Sequence, residues 1–382
     1  MKCVNLFLVL VLAIGWLACG CDDTEEGIDS DQNFHDDSDH DSAAYPYFLV
    51  IGGGLSETLS VLRVEENRGY TMYDDLVATG SAINQTLTDG EDFFAVCSLS
   101  NSVVVYDLDL NVKREVSVGE GVNPMSMVLA DDELAWVSGF VSNDVRLVDL
   151  SAGADERVLE IIPMPAGDDL PRDPGVEHSW TRPGGMARVG ERVFMALSHL
   201  EETYVAAGPG LVAVIDEQQG ELETVLELTG RDTMSLTYDA QRGVVWAVSA
   251  GDYVVQQGFT GNGLLEAIDP QTLEIVARVD IDGAPFELLT ADAFGYLCNG
   301  RDGNLLVVDL DDGAQRQSID LRRHEGDAGL SFVSALALDP AGFVYAAEFN
   351  SDYLYVLDPA RDHEIVAEFA VNDGPDTLTF IP

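Results

Sequence analysis

The C-terminal segment FVSALALDPAGFVYAAEFNSDYLYVLDPARDHEIVAEFAVNDGPDTLTFIP, residues 332–382, decides the fold. It contains four short runs of β-branched and aromatic residues separated by Asp, Asn, Gly and Pro, which is the pattern of four antiparallel strands joined by turns. A fifth run, GPDTLTFIP at 374–382, then begins a further unit that the chain does not finish. The segment therefore predicts a four-stranded unit followed by one extra strand.

The first strand of this unit recurs seven times along the chain. Its copies are NQTL (84–87), NPMSM (123–127), RPGGM (182–186), DTMSL (232–236), APFEL (284–288), FVSAL (332–336) and GPDTL (374–378). Their last apolar residues are 40, 59, 50, 52, 48 and 42 positions apart. Four strands repeated at such a period are typical of the blades of a β-propeller. A pair of β-sandwiches is the alternative, but sandwiches do not require one unit seven times.

The N-terminal part of the repeat region lacks the strand that the C-terminus supplies. YFLVIGGG (47–54), LSVLRVEEN (59–67) and YTMYDDLVATG (70–80) are predicted to form the second, third and fourth strands of a blade without a first. We therefore predict an all-β, seven-bladed β-propeller of four-stranded blades over residues 45–382. Pairing of the C-terminal strand with the N-terminal blade would close the ring and remove two open sheet edges.

Three segments carry a family resemblance: WVSGFVSNDVRLVDLSAG (136–153), SLSNSVVVYDLDL (98–110) and EFNSDYLYVLDPA (348–360). They resemble the YVTN-type propeller repeat, in which a strand, an Asn-containing turn and a strand ending in Val-Ile-Asp recur. The resemblance extends from residue 47 to the C-terminus, with insertions in the fourth and fifth blades. It implies a seven-bladed ring and an exported location, but no single chemistry, because cell-surface, lactonase-like and cytochrome-associated propellers share this scaffold.

The N-terminus indicates export. MKCVNLFLVLVLAIGWLACGC (1–21) places one Lys before an apolar run that ends in small residues and cysteines, the layout of a secretory signal. A membrane span is the alternative, although the run is short and acidic residues follow it. LACGC (17–21) resembles a lipobox, which implies a signal peptide at 1–20 and a lipid on Cys21. Cys19 is the other possible register, and a secretory signal without a lipid is the third reading.

The lipobox resemblance implies a location in the bacterial cell envelope, facing the periplasm or the cell surface. The next segment, 22–41, contains ten acidic residues and no basic one, so we predict a disordered tether over 21–44. The D-x-D-x-D spacing at Asp37, Asp39 and Asp41 is that of a calcium loop, so Ca²⁺ could bind there weakly. A solvated tether is preferred, because Ser42 replaces the glycine that such a loop requires.

Charge limits the possible partners. The chain has 68 Asp and Glu against 19 Lys and Arg, a net charge of −49, which excludes nucleic acid by repulsion. The two cysteines beyond the signal region, Cys97 and Cys298, lie in apolar runs, and we predict reduced core cysteines rather than a disulfide. We expect the propeller to be monomeric and to contact the membrane only through its lipid.

Three insertions mark one rim of the predicted ring: residues 162–179, 199–210 and 251–263. Long loops on a rigid scaffold commonly carry function. We therefore predict a binding scaffold whose loop-rich face takes a protein, peptide or glycan. The candidate face residues are His178, His199, Tyr204, Tyr253, Phe259 and His324. The histidines have no metal-ligand spacing, so scattered surface histidines are preferred to a zinc site.

A hydrolase is the alternative hypothesis. Asn84, Asp232, Glu348 and Asp376 are predicted near the mouth of the central channel, where converging oxygen ligands would suit Ca²⁺. Lactonase-like propellers, which the repeat is similar to, use such an arrangement to polarise a substrate carbonyl. No phosphate loop, nucleophile elbow or haem motif is present, and no cofactor is predicted. The Asp that ends the third strand of six blades is predicted to form a turn rather than to catalyse.

Overall fold

The computed structural model describes residues 45–151, 157–321, 332–371 and 373–381. Several sequence-based predictions lie outside these ranges and stay predictions: the signal peptide at 1–20, Cys19 and Cys21, the tether at 21–44, and His324. In the part of the chain that is described, no helix is both long enough and apolar enough to cross a bilayer.

The described chain is all β, and seven four-stranded antiparallel sheets form the blades. Blade 1 consists of β1 (Tyr47–Gly53), β2 (Thr58–Val64), β3 (Tyr70–Ala78) and β30 (Pro375–Ile381). Blade 2 consists of β4 (Ile83–Thr88), β5 (Asp92–Cys97), β6 (Ser102–Asp107) and β7 (Val112–Ser117). Blade 3 consists of β8 (Pro124–Leu129), β9 (Leu134–Gly139), β10 (Asp144–Asp149) and β11 (Val158–Pro163).

The remaining four blades follow the same order. Blade 4 consists of β12 (Pro183–Val189), β13 (Arg192–Leu197), β14 (Leu211–Asp216) and β15 (Glu221–Glu227). Blade 5 consists of β16 (Thr233–Asp239), β17 (Val244–Ser249), β20 (Gly263–Ile268) and β21 (Ile275–Ile281). Between β17 and β20 lies a small hairpin of β18 (Tyr253–Val254) and β19 (Gly258–Phe259). Blade 6 consists of β22 (Pro285–Ala291), β23 (Phe294–Asn299), β24 (Leu305–Asp309) and β25 (Gln315–Ile319). Blade 7 consists of β26 (Val333–Leu338), β27 (Val344–Glu348), β28 (Tyr353–Asp358) and β29 (Glu364–Ala370). Two short 3₁₀ helices, Gly167–Asp169 and Pro359–Arg361, interrupt the connections.

The ring closes where the sequence predicts. β30 pairs with β1 in antiparallel register, with Phe48 opposite Ile381 and Ile51 opposite Leu378. The innermost strands β30, β4, β8, β12, β16, β22 and β26 each contact the next, and β26 contacts β30 again. The predicted seven-bladed propeller, closed by the C-terminal strand, is therefore confirmed.

The core lies between the blades because the middle strands are buried on both faces. β5, with the sequence DFFAVC, is buried at every position except its first residue. The outermost strand of the same blade, β7, has the sequence VKREVS and is mostly exposed. This difference explains why the second and third strands of each repeat are continuous apolar runs, whereas the fourth strands alternate.

Two local predictions are also confirmed. Cys97 and Cys298 are free and buried. The carboxylates that end the third strands accept hydrogen bonds from backbone N–H groups two to four residues later, which is the geometry of a local turn. These residues are Asp107, Asp149, Asp216, Asp269, Asp309 and Asp358.

The innermost strand of every blade has a register shift near its start. In blade 2 the shift falls between Ile83 and Gln85, and in blade 6 between Pro285 and Glu287. Equivalent shifts occur in blades 3, 4, 5 and 7, and at the β1–β30 pairing in blade 1. Such a β-bulge leaves a residue unpaired and changes the direction in which its side chain points. Each repeat therefore contains, besides its four strands, a β-bulge near the start of the innermost strand.

Candidate functional site

An axial cavity of about 570 Å³ lies inside the ring of innermost strands. Each blade contributes to its wall, and in every blade at least one lining residue stands at the bulge of the innermost strand. These residues are Asp376 in blade 1, Asn84 in blade 2, Met125 and Ser126 in blade 3, Gly185 in blade 4, Met234 in blade 5, Phe286 in blade 6 and Ser334 in blade 7. The bulges therefore bring a residue of each blade to the axis, beside lining residues from the rest of the innermost strands and from the loops.

Two of the predicted insertions add aromatic side chains to the same cavity. Tyr204, from the insertion at 199–210, lines the wall and stacks on Phe140 with ring centroids 6.2 Å apart. Tyr253 and Phe259, from the insertion at 251–263, also line the wall, and their ring centroids are 5.2 Å apart. Three of the six candidate face residues are thus brought together at the cavity.

One arginine connects all three insertions. The Arg231 guanidinium pairs with Asp173 of the first insertion and Asp252 of the third, each at 2.6 Å. The same group donates to the carbonyl oxygen of Ala206, in the second insertion, at 3.1 Å. The insertion at 162–179 does not itself line the cavity. It supports the loop that does, because isolated β-bridges link Ala166, Trp180, Leu200 and Ala206 in series.

The candidate histidines are placed differently from the aromatic residues. His199 is fully buried beneath the loops and does not line the cavity. Its Nδ1 lies 2.7 Å from the carbonyl oxygen of Pro209, and its Nε2 lies 3.3 Å from the Ser179 hydroxyl. Burial lowers the pKa of His199, so a neutral ring joins two insertions. His178 is exposed and lies outside the cavity wall.

The four predicted calcium ligands do not come together as one set. Asn84, Asp232 and Asp376 line the cavity, but Glu348 does not. Glu348 is only 1% exposed, and its carboxylate accepts hydrogen bonds from the backbone N–H groups of Phe332 at 2.6 Å and Ser351 at 2.7 Å. Across the described ranges, no three or more His, Cys, Asp or Glu side chains are grouped so that they could hold a metal ion.

Three cavity carboxyl groups have strongly altered acidity. Burial raises the pKa of Asp232 to about 7, against the opposing effect of a hydrogen bond from Ser198, and raises the pKa of Asp376 to about 7. Burial and then the nearby charge of Asp376 raise the pKa of Glu287 to about 8. These groups can therefore change protonation state near neutral pH.

Sequence reasoning missed Glu287 and Arg182. Glu287 follows the bulge of blade 6, and the available signal was an acidic residue inside the otherwise apolar APFEL strand. The Arg182 guanidinium lies 5.2 to 5.3 Å from the ring centroids of Phe140, Trp180 and Tyr204. Its Nε is buried without a hydrogen-bond partner, and burial lowers its pKa. No local sequence signal distinguishes Arg182, because only Trp180 is close to it in sequence, whereas Phe140 and Tyr204 come from other parts of the chain.

Comparisons with known proteins identify the fold but no family. No protein-family model matches the sequence, and no curated protein matches it. A periplasmic gluconolactonase from Pseudomonas aeruginosa superposes with a TM-score of 0.65 at 19% identity, over 88% of this chain and 99% of that one. A putative 6-phosphogluconolactonase from Bacteroides fragilis gives 0.64 at 12% identity, over 90% and 100%. A streptogramin B lyase gives 0.56 at 10% identity, over 78% and 86%.

The altered acidity of Asp376 predicts a pH-dependent effect of its replacement. An unfolded Asp ionises near pH 4, whereas the folded Asp376 has a pKa of about 7. Between these values the folded state holds a proton that the unfolded state has lost, so this group's contribution to stability falls as pH rises. We expect Asp376→Asn to melt at a higher temperature than the wild type at pH 8, by an amount equivalent to a few kcal/mol, and at the same temperature at pH 4.

Asp280→Asn is the matched control, because it removes the same charge from an exposed position on β21. Thermal unfolding of the three proteins at both pH values provides the measurement. If Asp376→Asn shifted the melting temperature equally at pH 4 and pH 8, the raised pKa would be refuted.

Proposed function

We propose that the protein is an exported, lipid-anchored binding protein that captures a ligand through its loop-rich face and the cavity beneath that face. One observation carries the proposal: two sequence insertions place Tyr204, Tyr253 and Phe259 in the wall of an axial cavity of about 570 Å³. A concave site of this size, with apolar and aromatic walls and a few polar groups, is typical of a small-molecule binding site.

The preorganisation of the loops supports binding. Arg231 holds the three insertions through two ion pairs and a backbone hydrogen bond, and buried His199 joins two of them from below. Loops fixed in this way lose little conformational entropy when a ligand enters. Contacts of this kind between loops are expected of a ligand-binding surface. The seven blades do not need them to close into a ring.

Export and anchoring are proposed from the N-terminal sequence. A lipid on Cys21 would attach the chain to a membrane, and the acidic stretch at 21–44 would hold the propeller away from it. Growth of an expressing bacterium with a labelled fatty acid tests this proposal. We expect the label to be lost in Cys21→Ser and retained in Cys19→Ser. If neither the wild type nor either variant were labelled, lipid anchoring would be contradicted. If the label were lost in Cys19→Ser and retained in Cys21→Ser, the lipid would be assigned to Cys19.

A neutral fluorescent probe tests the cavity. N-phenyl-1-naphthylamine brightens in apolar sites, and we expect it to bind the purified protein and to bind at least about tenfold more weakly to Tyr253→Ala and Phe259→Ala, a loss of about 1.4 kcal/mol. Arg231→Gln should also weaken binding by loosening the loops. Val255→Ala is the control, because Val255 belongs to the same insertion but is 58% exposed and does not line the cavity.

The binding proposal would be refuted if the probe failed to bind, or if Val255→Ala weakened binding as much as the two aromatic variants. Circular dichroism of each variant confirms that the ring remains folded, so that a loss of binding reports on the cavity itself.

A lactonase-like hydrolase is the second candidate, and it is favoured by the cavity carboxyl groups with pKa values of about 7 and 8. Groups that titrate near the working pH are suited to general acid and base catalysis. Because Glu348 is engaged with backbone N–H groups, such an enzyme would use these carboxyl groups rather than the predicted four-ligand calcium set. Turnover of simple lactones that is lost in Asp376→Asn would favour this candidate over binding alone.

A further inference from the structure

We propose that the axial cavity selects organic cations, meaning small molecules that join an apolar body to a positively charged nitrogen group. The inference deepens the proposed function and depends on it, since it names the chemical class that the cavity would take. It follows from the charge balance of the wall, from the arrangement of the carboxyl groups, and from the aromatic surface beside them.

Among the residues that the structure describes, the charged side chains in the cavity wall are three acids and one arginine: Asp232, Glu287, Asp376 and Arg301. The arginine is already neutralised, because its guanidinium pairs with Asp282 at 2.5 Å and with Asp302 at 2.7 Å. Across the described part of the chain, no unpaired positive side chain of the wall therefore balances the three acids when they are ionised.

None of the three acids has an ion-pair partner among the described residues. Asp232 is 8% exposed, and Glu287 accepts a hydrogen bond from the Cys298 thiol at 3.8 Å. Asp232 is buried, whereas Glu287 and Asp376 are half-buried. A carboxylate withdrawn from water is costly unless an opposite charge pairs with it. A cationic ligand would supply that charge. The raised pKa values of the three groups are expected where no positive side chain of the described residues pairs with them.

The arrangement of the acids favours an organic cation over a metal ion. Asp232 precedes the innermost strand of blade 5, whereas Glu287 and Asp376 lie on the innermost strands of blades 6 and 1. A calcium ion needs its oxygen ligands within about 2.6 Å, and with the described residues alone these carboxylates form no group that could hold a metal ion. Acids distributed around an apolar cavity can instead contact separate parts of one extended ligand.

The aromatic wall lies beside these acids. Phe286, which precedes Glu287, stacks on Phe332 with ring centroids 5.3 Å apart, and Phe332 meets Phe349 edge to face at 6.1 Å. Aromatic faces attract cations through their quadrupole. Bulge residues Met125 and Met234 add polarisable surface for an apolar body.

Arg182 is a positive group that aromatic rings near this cavity already hold. Its position also indicates where the positive group of a ligand would bind. Its guanidinium lies among three aromatic rings, two of which, Phe140 and Tyr204, line the cavity. Arg182 precedes the innermost strand of blade 4, whereas Glu287 lies two blades away in blade 6 and Asp376 lies across the ring in blade 1. A ligand's positive group is therefore expected beside Glu287 and Asp376, away from Arg182, and the net charge of −49 would attract it.

Calorimetric titration with two matched probes tests the inference. 2-Phenylethylamine and 2-phenylethanol share the same aromatic body, and at pH 8 they differ in charge. We expect the amine to bind at least about tenfold more tightly than the alcohol. Glu287→Gln and Asp376→Asn should each reduce that preference, and the double variant should abolish it. Asp280→Asn, at an exposed position, should leave it unchanged.

Each outcome decides the question. A preference for the amine that disappears in the double variant supports the inference. Equal binding of the two probes, binding of neither, or a preference that survives in all the cavity variants overturns it. The neutral naphthylamine probe separates this failure from failure of the proposed function: if that probe binds in the cavity but charge has no effect, the binding function stands and the cation preference does not.

Discussion

The structure depends on the pairing of β30 with β1. This pairing joins residues more than three hundred positions apart, so the chain must bear the entropy of closing a very long loop before the first blade is complete. In return, the strand completes blade 1 and brings the innermost strands of blades 7 and 2 into contact with its own. Without it, Leu49, Val50 and Ile51, which are fully buried, would lie on an open sheet edge.

Closure also creates the site. A ring of seven blades places seven innermost strands around one axis, and the shared bulge sets which residues of each strand meet there. The scaffold fixes these positions, while their chemistry differs from blade to blade, from Asn84 and Asp376 to Met234 and Phe286. The insertions at 199–210 and 251–263 then extend the wall with aromatic side chains, and Arg231 holds them in place.

Strand pattern and repeat spacing were sufficient to predict the blades and the closure, because these depend on local alternation and on counting units. The same reasoning located the insertions whose tyrosines and phenylalanine line the cavity. It could not place His199, since a loop histidine looks the same in sequence whether it is exposed or buried beneath Pro209 and Ser179. It also missed Glu287, Arg182 and Arg231, whose roles arise from bulge geometry and from contacts between distant segments.

Native-state hydrogen exchange of the C-terminal strand tests the central claim most directly. The amides of residues 376–381 should exchange as slowly as those of β26, the innermost strand of blade 7, because both strands are bonded within complete sheets. Mass spectrometry of the corresponding peptides would measure both rates in one experiment. Exchange of residues 376–381 at the rate of an exposed loop, while β26 stayed protected, would contradict a ring closed by its two ends.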